Sequence, residues 1–367
     1  MTKKNILKII VISAAIIIVA GVTAFFSYFS INSKPANPDG ELLTVEFEVT
    51  SGMTAKTVGN ELKNAGLIKN ERVFYIFARF PKFASFMTHK DARIFRVQKG
   101  IYTLDNKMSL SRVFEEVCTG KVREITVSIP EGLTLKKIAK RISATGIVTE
   151  EDFIYTATHD AQKIFSSFGI NLKVDSVEGF LYPDTYNIPV NYNSYQIISM
   201  MVENLGKQIK SHEETQNYLN DNTDPDEFFK MITLASIIER EYRDKEEAPL
   251  IGGVFYNRLK INMPLQSCAT VEYIITEIRG RPHPHTIYYE DLEMKEPYNT
   301  YIYPGLPPGP ISNPGFTAIN AAINPQDSDY LYFTLTDADA GRHTFSTNFD
   351  SHAKATAEFK TKKVAGN

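Results

Sequence analysis

The chain has 367 residues, 43% of them hydrophobic and 23% charged, as expected for a folded protein long enough for more than one domain. Its net charge of -3 argues against a nucleic-acid-binding protein, which would normally carry a basic excess. The sequence contains neither zinc-type cysteine spacing nor a phosphate-binding P-loop, so we expect no metal ion and no other cofactor.

The N-terminus carries an uncharged run from Ile9 to Phe29, which is long enough to cross a bilayer. Lysines precede this run and no acidic residue does, so the positive-inside rule places residues 1–8 in the cytoplasm. The sequence therefore predicts a single-pass protein of the cytoplasmic (inner) membrane. It has a transmembrane helix at 9–29, and the rest of the chain lies outside the cytoplasm.

A cleaved signal peptide is the alternative, with Val22-Thr23-Ala24 as its small-residue site. We favour the anchor because the apolar run continues beyond that site to Phe29. The segment 30–42 is polar and contains prolines and a glycine, which predicts a linker that lets the folded part stand off the membrane.

A strand–turn–helix plan occurs twice. In the first copy residues 45–49 alternate like a strand and residues 54–65 have helical spacing; the second copy begins at Ile125. Three positions match as pairs: Gly52 with Gly132, Thr54 with Thr134, and Gly66 with Gly146. Strand–turn–helix units are common and can match by chance, but the agreement in spacing favours a duplication. Units of this size suit a binding module.

Between the copies the pattern predicts a helix at 71–79, a strand at 99–104 (KGIYTL) and a helix at 109–118. Cys118 falls on the apolar face of the last helix and is expected to be a buried free thiol. A disulfide with Cys268 is the alternative outside the cytoplasm.

From residue 122 onward the elements indicate a larger α+β domain. In chain order we expect a short aromatic strand in EGFLYPDTY (178–186), helices at 194–209 and 246–260, a loop in MPLQSCATV (263–271), a stiff proline-rich loop at 297–314, strands at 330–335 and 343–345, and a last helix at 350–360.

The segment from Asp224 to Tyr242 predicts a helix with a defined start. Asp224 can cap it, Pro225 suits the first helical position, and Glu227 would complete a capping box. Apolar residues then recur at helical spacing and form a stripe: Phe228, Met231, Ile232, Ala235, Ile238 and Tyr242.

Glu239 projects onto this apolar stripe, whereas Glu241 is expected to point to the far side, toward water. A carboxyl on an apolar face resists ionisation, which suits a general acid at neutral pH. The alternative is that Glu239 lies at the rim of the core or pairs with a buried Arg or Lys. The loops rich in Tyr, Asn, Gln and Thr suit sugar rings, so the residues favour a carbohydrate-active enzyme.

Several longer motifs, taken together, carry a resemblance to a known family. They are LASIIERE (234–241), VFYNRL (254–259), LQS-x-x-TV (265–271), YNTY (298–301), GLPPGPI (305–311), EGFLYPDTY (178–186) and HTF (343–345). In this order they resemble the endolytic murein transglycosylases of the MltG, or YceG-like, family. KGIYTL resembles the strand of that family's LysM-like module. Family members often carry Asp or Asn at the position of Cys268, which leaves the role of that side chain open.

The resemblance implies an α+β fold with a small LysM-like α/β module at 43–121 and a YceG-like catalytic domain at 122–363. It implies lytic cleavage of peptidoglycan glycan strands with Glu239 as the catalytic residue. By resemblance and residue type, the candidate sugar contacts are Gln266, Ser267, Thr270, Asn299, Tyr301 and His343. Contact with sugar or a bracing role is left open for Glu178, Tyr182, Asp184 and Tyr186.

Two other functions stay open. A hydrolytic muramidase would need a second carboxylate near Glu239, for which Asp184 and Glu178 are the candidates. A non-catalytic glycan-binding scaffold would explain the repeat but not the placement of Glu239. The expected partners are peptidoglycan strands, the cytoplasmic membrane and, as a further candidate, cell-wall synthesis proteins.

Overall fold

The computed structural model describes residues 3–50, 52–88, 100–119, 123–168, 171–220 and 223–365. The chain divides into two units, one of residues 1–125 with 189–191 and the other of residues 126–188 with 192–367. Both units mix helices and strands, which confirms the mixed helix and sheet fold that the sequence predicts.

The first unit begins with one long helix and continues as a small module. Its elements are α1 (Lys3–Asn32), β1 (Thr44–Val49), α2 (Ala55–Asn64), α3 (Glu71–Arg79), α4 (Pro81–Thr88), β2 (Gly100–Asp105) and α5 (Leu110–Thr119). β1 and β2 pair antiparallel, with Phe47 opposite Tyr102. The predicted helix at 71–79 and strand KGIYTL are confirmed, except that Lys99 lies outside the described residues.

The module has its own apolar core. Side chains from β1, β2 and the helices α2, α3 and α5 fill it, among them Leu62, Phe74, Leu104 and Phe114. Cys118 is buried in this core as a free thiol, and Cys268 is also free, so the disulfide alternative is not realised.

The linker predicted at 30–42 is not a flexible spacer. Asn106, which is only 4% exposed, uses its side chain to accept from the Leu43 amide and to donate to the Glu41 carbonyl. The main-chain carbonyl of Asn106 accepts from the Asn37 main-chain amide, and the Leu110 amide donates to the Ser33 carbonyl, both at 3.0 Å. The sequence predicts a linker that lets the folded part stand off the membrane, but these bonds attach the segment to the module.

The second unit carries the remaining elements. They are β3 (Glu124–Ser128), α6 (Leu135–Ser143), α7 (Glu150–His159), α8 (Ala161–Ser167), β4 (Thr185–Pro189), α9 (Ser194–Ser211), α10 (Pro225–Glu241), α11 (Ala248–Lys260), α12 (Cys268–Tyr273), α13 (Tyr289–Leu292), α14 (Phe316–Ile323), β5 (Tyr332–Asp337), β6 (Arg342–Ser346) and α15 (Phe349–Ala365). A 3-10 turn, Lys245–Glu247, precedes α11, and a π-helical turn, Ile274–Ile278, follows α12.

Helix α10 lies in the centre of this unit. It is buried from Met231 through Ile238 and packs against α11, α12 and α14. β3 pairs with β4, and β5 with β6. The core of the second unit therefore forms around the helix that carries Glu239.

Two of the expected elements differ from those observed. Residues 178–184 form turns instead of a strand, and the strand starts only at Thr185, because Glu178 and the segment after it are tied to other loops. In MPLQSCATV the loop ends at Ser267, and Cys268 begins α12, whose apolar residues are buried against the core.

The repeated plan is present in both copies as local structure. Thr54 and Thr134 each cap a helix by accepting from an amide three residues later. The turn glycines Gly52 and Gly132 have φ of 88° and 74°, a conformation that glycine adopts without steric cost.

Candidate active site

Helix α10 begins largely as its sequence predicts. Asp224 accepts a hydrogen bond from the Asp226 amide at 3.0 Å, and Pro225 occupies the first helical position. The capping box is wrong in one part, because Glu227 pairs with Lys230 at 2.7 Å instead of reaching back to the cap. The helix ends at Glu241, so Glu239 lies in its last turn.

Glu239 is held by two donors. The Gly315 amide donates to Oε2 at 2.9 Å, and the Tyr242 hydroxyl donates to both carboxylate oxygens at 3.2 and 3.3 Å. Burial raises the pKa of Glu239 to about 7, and the negative charge of Glu131 adds to this rise. The two hydrogen bonds and the charge of Lys245 act in the opposite direction but do not cancel it.

Two glycines line the carboxyl group. Gly132 has a φ of 74°, and a Cβ at this position would lie 3.5 Å from Cγ of Glu239. A Cβ on Gly315 would lie 2.3 Å from Oε1 of Glu131, so any larger residue there would require the Glu131 carboxylate or the main chain to shift. Gly132 is thus required mainly for its left-handed backbone, whereas Gly315 lets the main chain lie directly against the Glu131 carboxylate.

Glu131 is a site residue that the sequence analysis missed. Its side chain is 43% exposed and lies 4.0 Å from Nζ of Lys245. It immediately precedes Gly132, the turn glycine of the second repeat copy, and this position was the one signal that could have singled it out. The site therefore holds a second carboxylate near Glu239, at neither of the positions expected.

Glu178 is buried and acts as a brace. Both of its carboxylate oxygens accept from the Leu135 amide, at 2.9 and 3.0 Å, and Asn313 donates to Oε1 at 2.8 Å. Burial raises its pKa to about 8. The side chain of Asn313 also donates to the Leu133 carbonyl, and the main-chain carbonyl of Asn313 accepts from the Gly132 amide. This network joins the two segments that present Glu131 and Gly315 to the site.

Tyr182 lies within electrostatic reach of Glu239. Burial raises its pKa to about 12, and the charges of Asp184, Glu131 and Glu239 contribute. The Tyr186 hydroxyl donates to the Tyr182 carbonyl at 2.6 Å. Tyr182 therefore borders the acidic cluster, while Tyr186 holds its main chain.

Asp184 faces solvent and is tied to its own surroundings. It accepts from Asn204 at 2.9 Å and from the Thr185 amide at 2.7 Å, and Asn204 also donates to the Tyr186 hydroxyl at 3.2 Å. These bonds support a bracing role for the Asp184–Tyr186 segment. Sugar contact by these residues stays a prediction.

Glu241 is only partly exposed and is bonded to a neighbouring element, so the prediction that it points away from the protein into water is wrong. It accepts a hydrogen bond from the Ser267 hydroxyl, and burial raises its pKa despite the nearby His343 and Arg240. The helical stripe located one buried face of α10, but α12 packs against the helix as well and covers the side that carries Glu241.

Three of the expected sugar-contact residues are internal. Thr270 and Asn299 have no exposed surface, Ser267 is 3% exposed, and each is hydrogen-bonded to protein groups. Thr270 shares a hydrogen bond of 2.9 Å with Thr300, and Asn299 donates to the Leu292 carbonyl at 2.8 Å. Their contact with sugar stays a prediction that none of these bonds supports.

The remaining candidates are more varied. Gln266 is exposed and has a φ of 52°, and its main-chain amide donates to the Thr300 carbonyl. Tyr301 shares a hydrogen bond of 3.0 Å with Cys268. The side chain of His343 is 6% exposed and pairs with Glu247 at 2.8 Å. Gln266 is the candidate that leaves its side chain open to solvent.

A sequence profile of the YceG-like family matches residues 47–358, which is most of the chain and includes the whole Glu239 site. The chain belongs to the YceG-like family. The endolytic murein transglycosylase of Bacillus subtilis (strain 168) is 30% identical over 90% of this chain and 88% of its own length. The endolytic murein transglycosylase of Streptococcus pneumoniae (strain D39) is 28% identical over 86% of this chain, which spans 58% of that longer protein.

A solved structure agrees with this assignment. A crystal structure of a yceG-like protein from Listeria monocytogenes is 29% identical, covers 86% of this chain and 99% of its own, and superposes with a TM-score of 0.51. The family resemblance of the sequence motifs is thereby confirmed, and the mixed helix and sheet fold with it. The LysM-like character of the first module stays a prediction.

Proposed function

We propose that this YceG-like protein is a membrane-anchored lytic transglycosylase that cleaves peptidoglycan glycan strands internally. It would be a carbon–oxygen lyase acting on a polysaccharide. The names of the relatives support the substrate class and the endolytic mode. The observation that carries the mechanism is the half-buried carboxyl of Glu239, whose pKa is raised by burial to about 7, so that a large share of it holds a proton near neutral pH.

In the proposed reaction Glu239 protonates the glycosidic oxygen between N-acetylmuramic acid and N-acetylglucosamine. The C1–O bond breaks, and the leaving sugar departs with the proton as its hydroxyl. The resulting Glu239 carboxylate then removes the proton from the muramyl C6 hydroxyl, whose oxygen bonds to C1 and closes a 1,6-anhydro ring. The carboxyl group ends protonated, as it began, and no water is consumed.

The hydrogen bonds of Glu239 suit both halves of this cycle. The Gly315 amide can only donate, so it favours the lone pairs of Oε2 and leaves Oε1 as the oxygen that carries the mobile proton. After the first proton transfer the same amide and the Tyr242 hydroxyl stabilise the carboxylate. In the muramidase alternative Glu131 would instead activate water or attack C1, and its place beside Glu239 is the observation that keeps this alternative open.

The product distinguishes the two reactions. Purified full-length protein would be incubated with peptidoglycan, and the glycan products analysed by mass spectrometry. We expect anhydromuramyl ends, each lighter than a reducing end by one water, formed inside long strands. Intramolecular attack has a large effective-molarity advantage, so one positioned acid–base group suffices. A predominance of reducing ends would overturn the proposal and make Glu131 the first residue to examine.

The membrane anchor is α1. Its segment Ile12–Asn32, of 21 residues, contains an 18-residue stretch with a mean hydropathy of 2.1, and this is the one helix among the described residues that is long and apolar enough to cross a membrane. We propose that it spans the cytoplasmic membrane with its N-terminus inside and the chain after the span outside. N-terminal sequencing of the mature protein checks this, since a start at Phe25 would show a cleaved signal peptide.

A further inference from the structure

The C-terminal end of α1 is fastened to the module that follows it. The side-chain amide of Asn70 donates to the Tyr28 hydroxyl at 2.7 Å and to Oδ1 of Asn32 at 3.4 Å. The Leu110 amide donates to the Ser33 carbonyl at 3.0 Å. The last turns of the apolar helix are therefore part of the packed module and not a free tether.

Helix α4 lies along these last turns. The ring of Phe83 packs on Phe25 and Phe29 at 6.0 and 5.1 Å, and Phe86 packs on Phe26 at 6.4 Å. At 1.5 Å per residue, Phe25 and Phe26 lie about 4–6 Å before Phe29 along α1, inside its uncharged run. α4 therefore contacts α1 at a depth that belongs to the apolar span.

The outer side of α4 is apolar and basic. Phe80 and Phe86 remain 56% and 63% exposed even though both are large aromatic residues. Arg79 and Lys82, at the junction of α3 and α4, are also exposed, and no acidic residue occurs from 72 to 88. Exposed aromatic rings grouped with basic side chains beside an apolar span fit a bilayer interface, where rings sit at headgroup level and basic groups meet lipid phosphates.

We propose that α4, together with Phe80 just before it, is a membrane-contact element, in which Phe80 and Phe86 enter the outer interface of the bilayer that α1 spans. This inference rests on the proposed function, in which α1 is a transmembrane anchor. Arg79 and Lys82 add electrostatic attraction to anionic headgroups. The first module is thus seated on the membrane surface through α1 and α4 together, in place of the spacer that the composition of 30–42 predicted.

The chain contains no tryptophan, so one introduced tryptophan is an unambiguous fluorescent reporter. The full chain carrying Phe86→Trp would be reconstituted into vesicles of phosphatidylcholine and phosphatidylglycerol. Its fluorescence would be titrated with lipids brominated high on the acyl chain, with lipids brominated deep in the acyl chain to reach the centre of the span and, separately, with aqueous acrylamide. Two controls bracket the result: Val19→Trp within α1, and Tyr289→Trp at a side chain that is 88% exposed in the second unit.

We expect brominated lipid to quench Phe86→Trp several-fold more than Tyr289→Trp, and acrylamide to quench it several-fold less. Phe80→Trp is a second reporter of the same surface and should behave alike. If Val19→Trp reports lipid while both α4 reporters respond to acrylamide alone, the α4 inference is overturned and the anchor stands. If Val19→Trp is not quenched by lipid, the anchor itself fails, and the α4 inference fails with it.

Discussion

The amide of Gly315 donates a hydrogen bond to Oε2 of Glu239 at 2.9 Å, across 76 positions of sequence. The same glycine lies against the carboxylate of Glu131, so one residue contacts both acidic side chains of the site. The proton affinity of Glu239 is thus set jointly by burial, by this amide and by Glu131. Each of these contributions can be changed separately.

Replacement of Glu239 by Gln should abolish cleavage. Gln is nearly isosteric but cannot deliver and retake a proton, so we expect turnover to fall about 10²- to 10⁴-fold. Glu227→Gln on the same helix, at a side chain that is 63% exposed, is the matched control and should stay near wild type. Turnover would be measured as release of glycan fragments, and binding by sedimentation with peptidoglycan. Wild-type turnover by Glu239→Gln would refute the mechanism.

The pH dependence of cleavage should report the proton on Glu239. An acid with a pKa of about 7 is protonated below that pH, so kcat/KM should fall as the pH rises through about 7. Glu131→Gln removes a negative charge that raises this pKa, and should therefore shift the fall in activity to lower pH. Glu150→Gln, at an exposed position on α7, should leave the profile unchanged.

The same Glu131 variant separates the two reactions. If Glu131 only tunes Glu239, activity at low pH is retained and the profile moves. If Glu131 is the second catalytic carboxylate of a muramidase, activity is lost at every pH. A profile that neither moves nor falls would show that Glu131 does not act on Glu239.

Gly315→Ala should impair catalysis through steric displacement. The backbone of Gly315, with φ of -83° and ψ of 178°, is accessible to alanine, but the new Cβ would lie 2.3 Å from Oε1 of Glu131. Glu131 or the 315 amide must then move, and a shift of about 1 Å near a reacting group can cost about 10²-fold in rate. Gly206→Ala on α9 has nothing within 4 Å of the added Cβ and should keep full activity. Equal activity of the two variants would show that neither the position of Glu131 nor that of the 315 amide matters for catalysis.

The sequence predicts those features of the site that depend on residues close together in the chain, and fails for those that depend on contacts between distant segments. The start of α10 at Asp224-Pro225 and the inward placement of Glu239 follow from capping preferences and helical spacing, and both are observed. Glu241 was misplaced because the stripe marks one buried face and gives no sign that α12 covers another. Helix spacing describes a single element and not the elements around it.

Glu131 was missed for a related reason. It comes close to Glu239 where Gly132 and Gly315 line that side chain, and the two loops that present Glu131 and Gly315 are held together by Asn313 and Glu178. These partners are far apart in the chain, so no spacing rule connects them. The glycine of the repeat marked the turn, but not the acidic residue before it.

The last prediction concerns the brace. Glu178 has its pKa raised by burial to about 8, from an ordinary value of 4.5, so the folded state binds its proton more tightly than the unfolded state does. Its contribution to stability is therefore fully present below pH 4.5 and is lost as the pH rises to about 8, at up to about 1.4 kcal/mol per pH unit. Gln is neutral throughout, and Glu178→Gln should remove this slope.

Glu178→Gln keeps one carbonyl oxygen as an acceptor, but its amide group cannot accept from the Leu135 amide as the second carboxyl oxygen does. We therefore expect the variant to be less stable than wild type at pH 5, with the difference shrinking or reversing by pH 8. Urea unfolding of the full-length protein at both pH values measures this, with Glu150→Gln as an exposed control. A constant difference between Glu178→Gln and wild type at the two pH values would show that Glu178 does not take up a proton on folding.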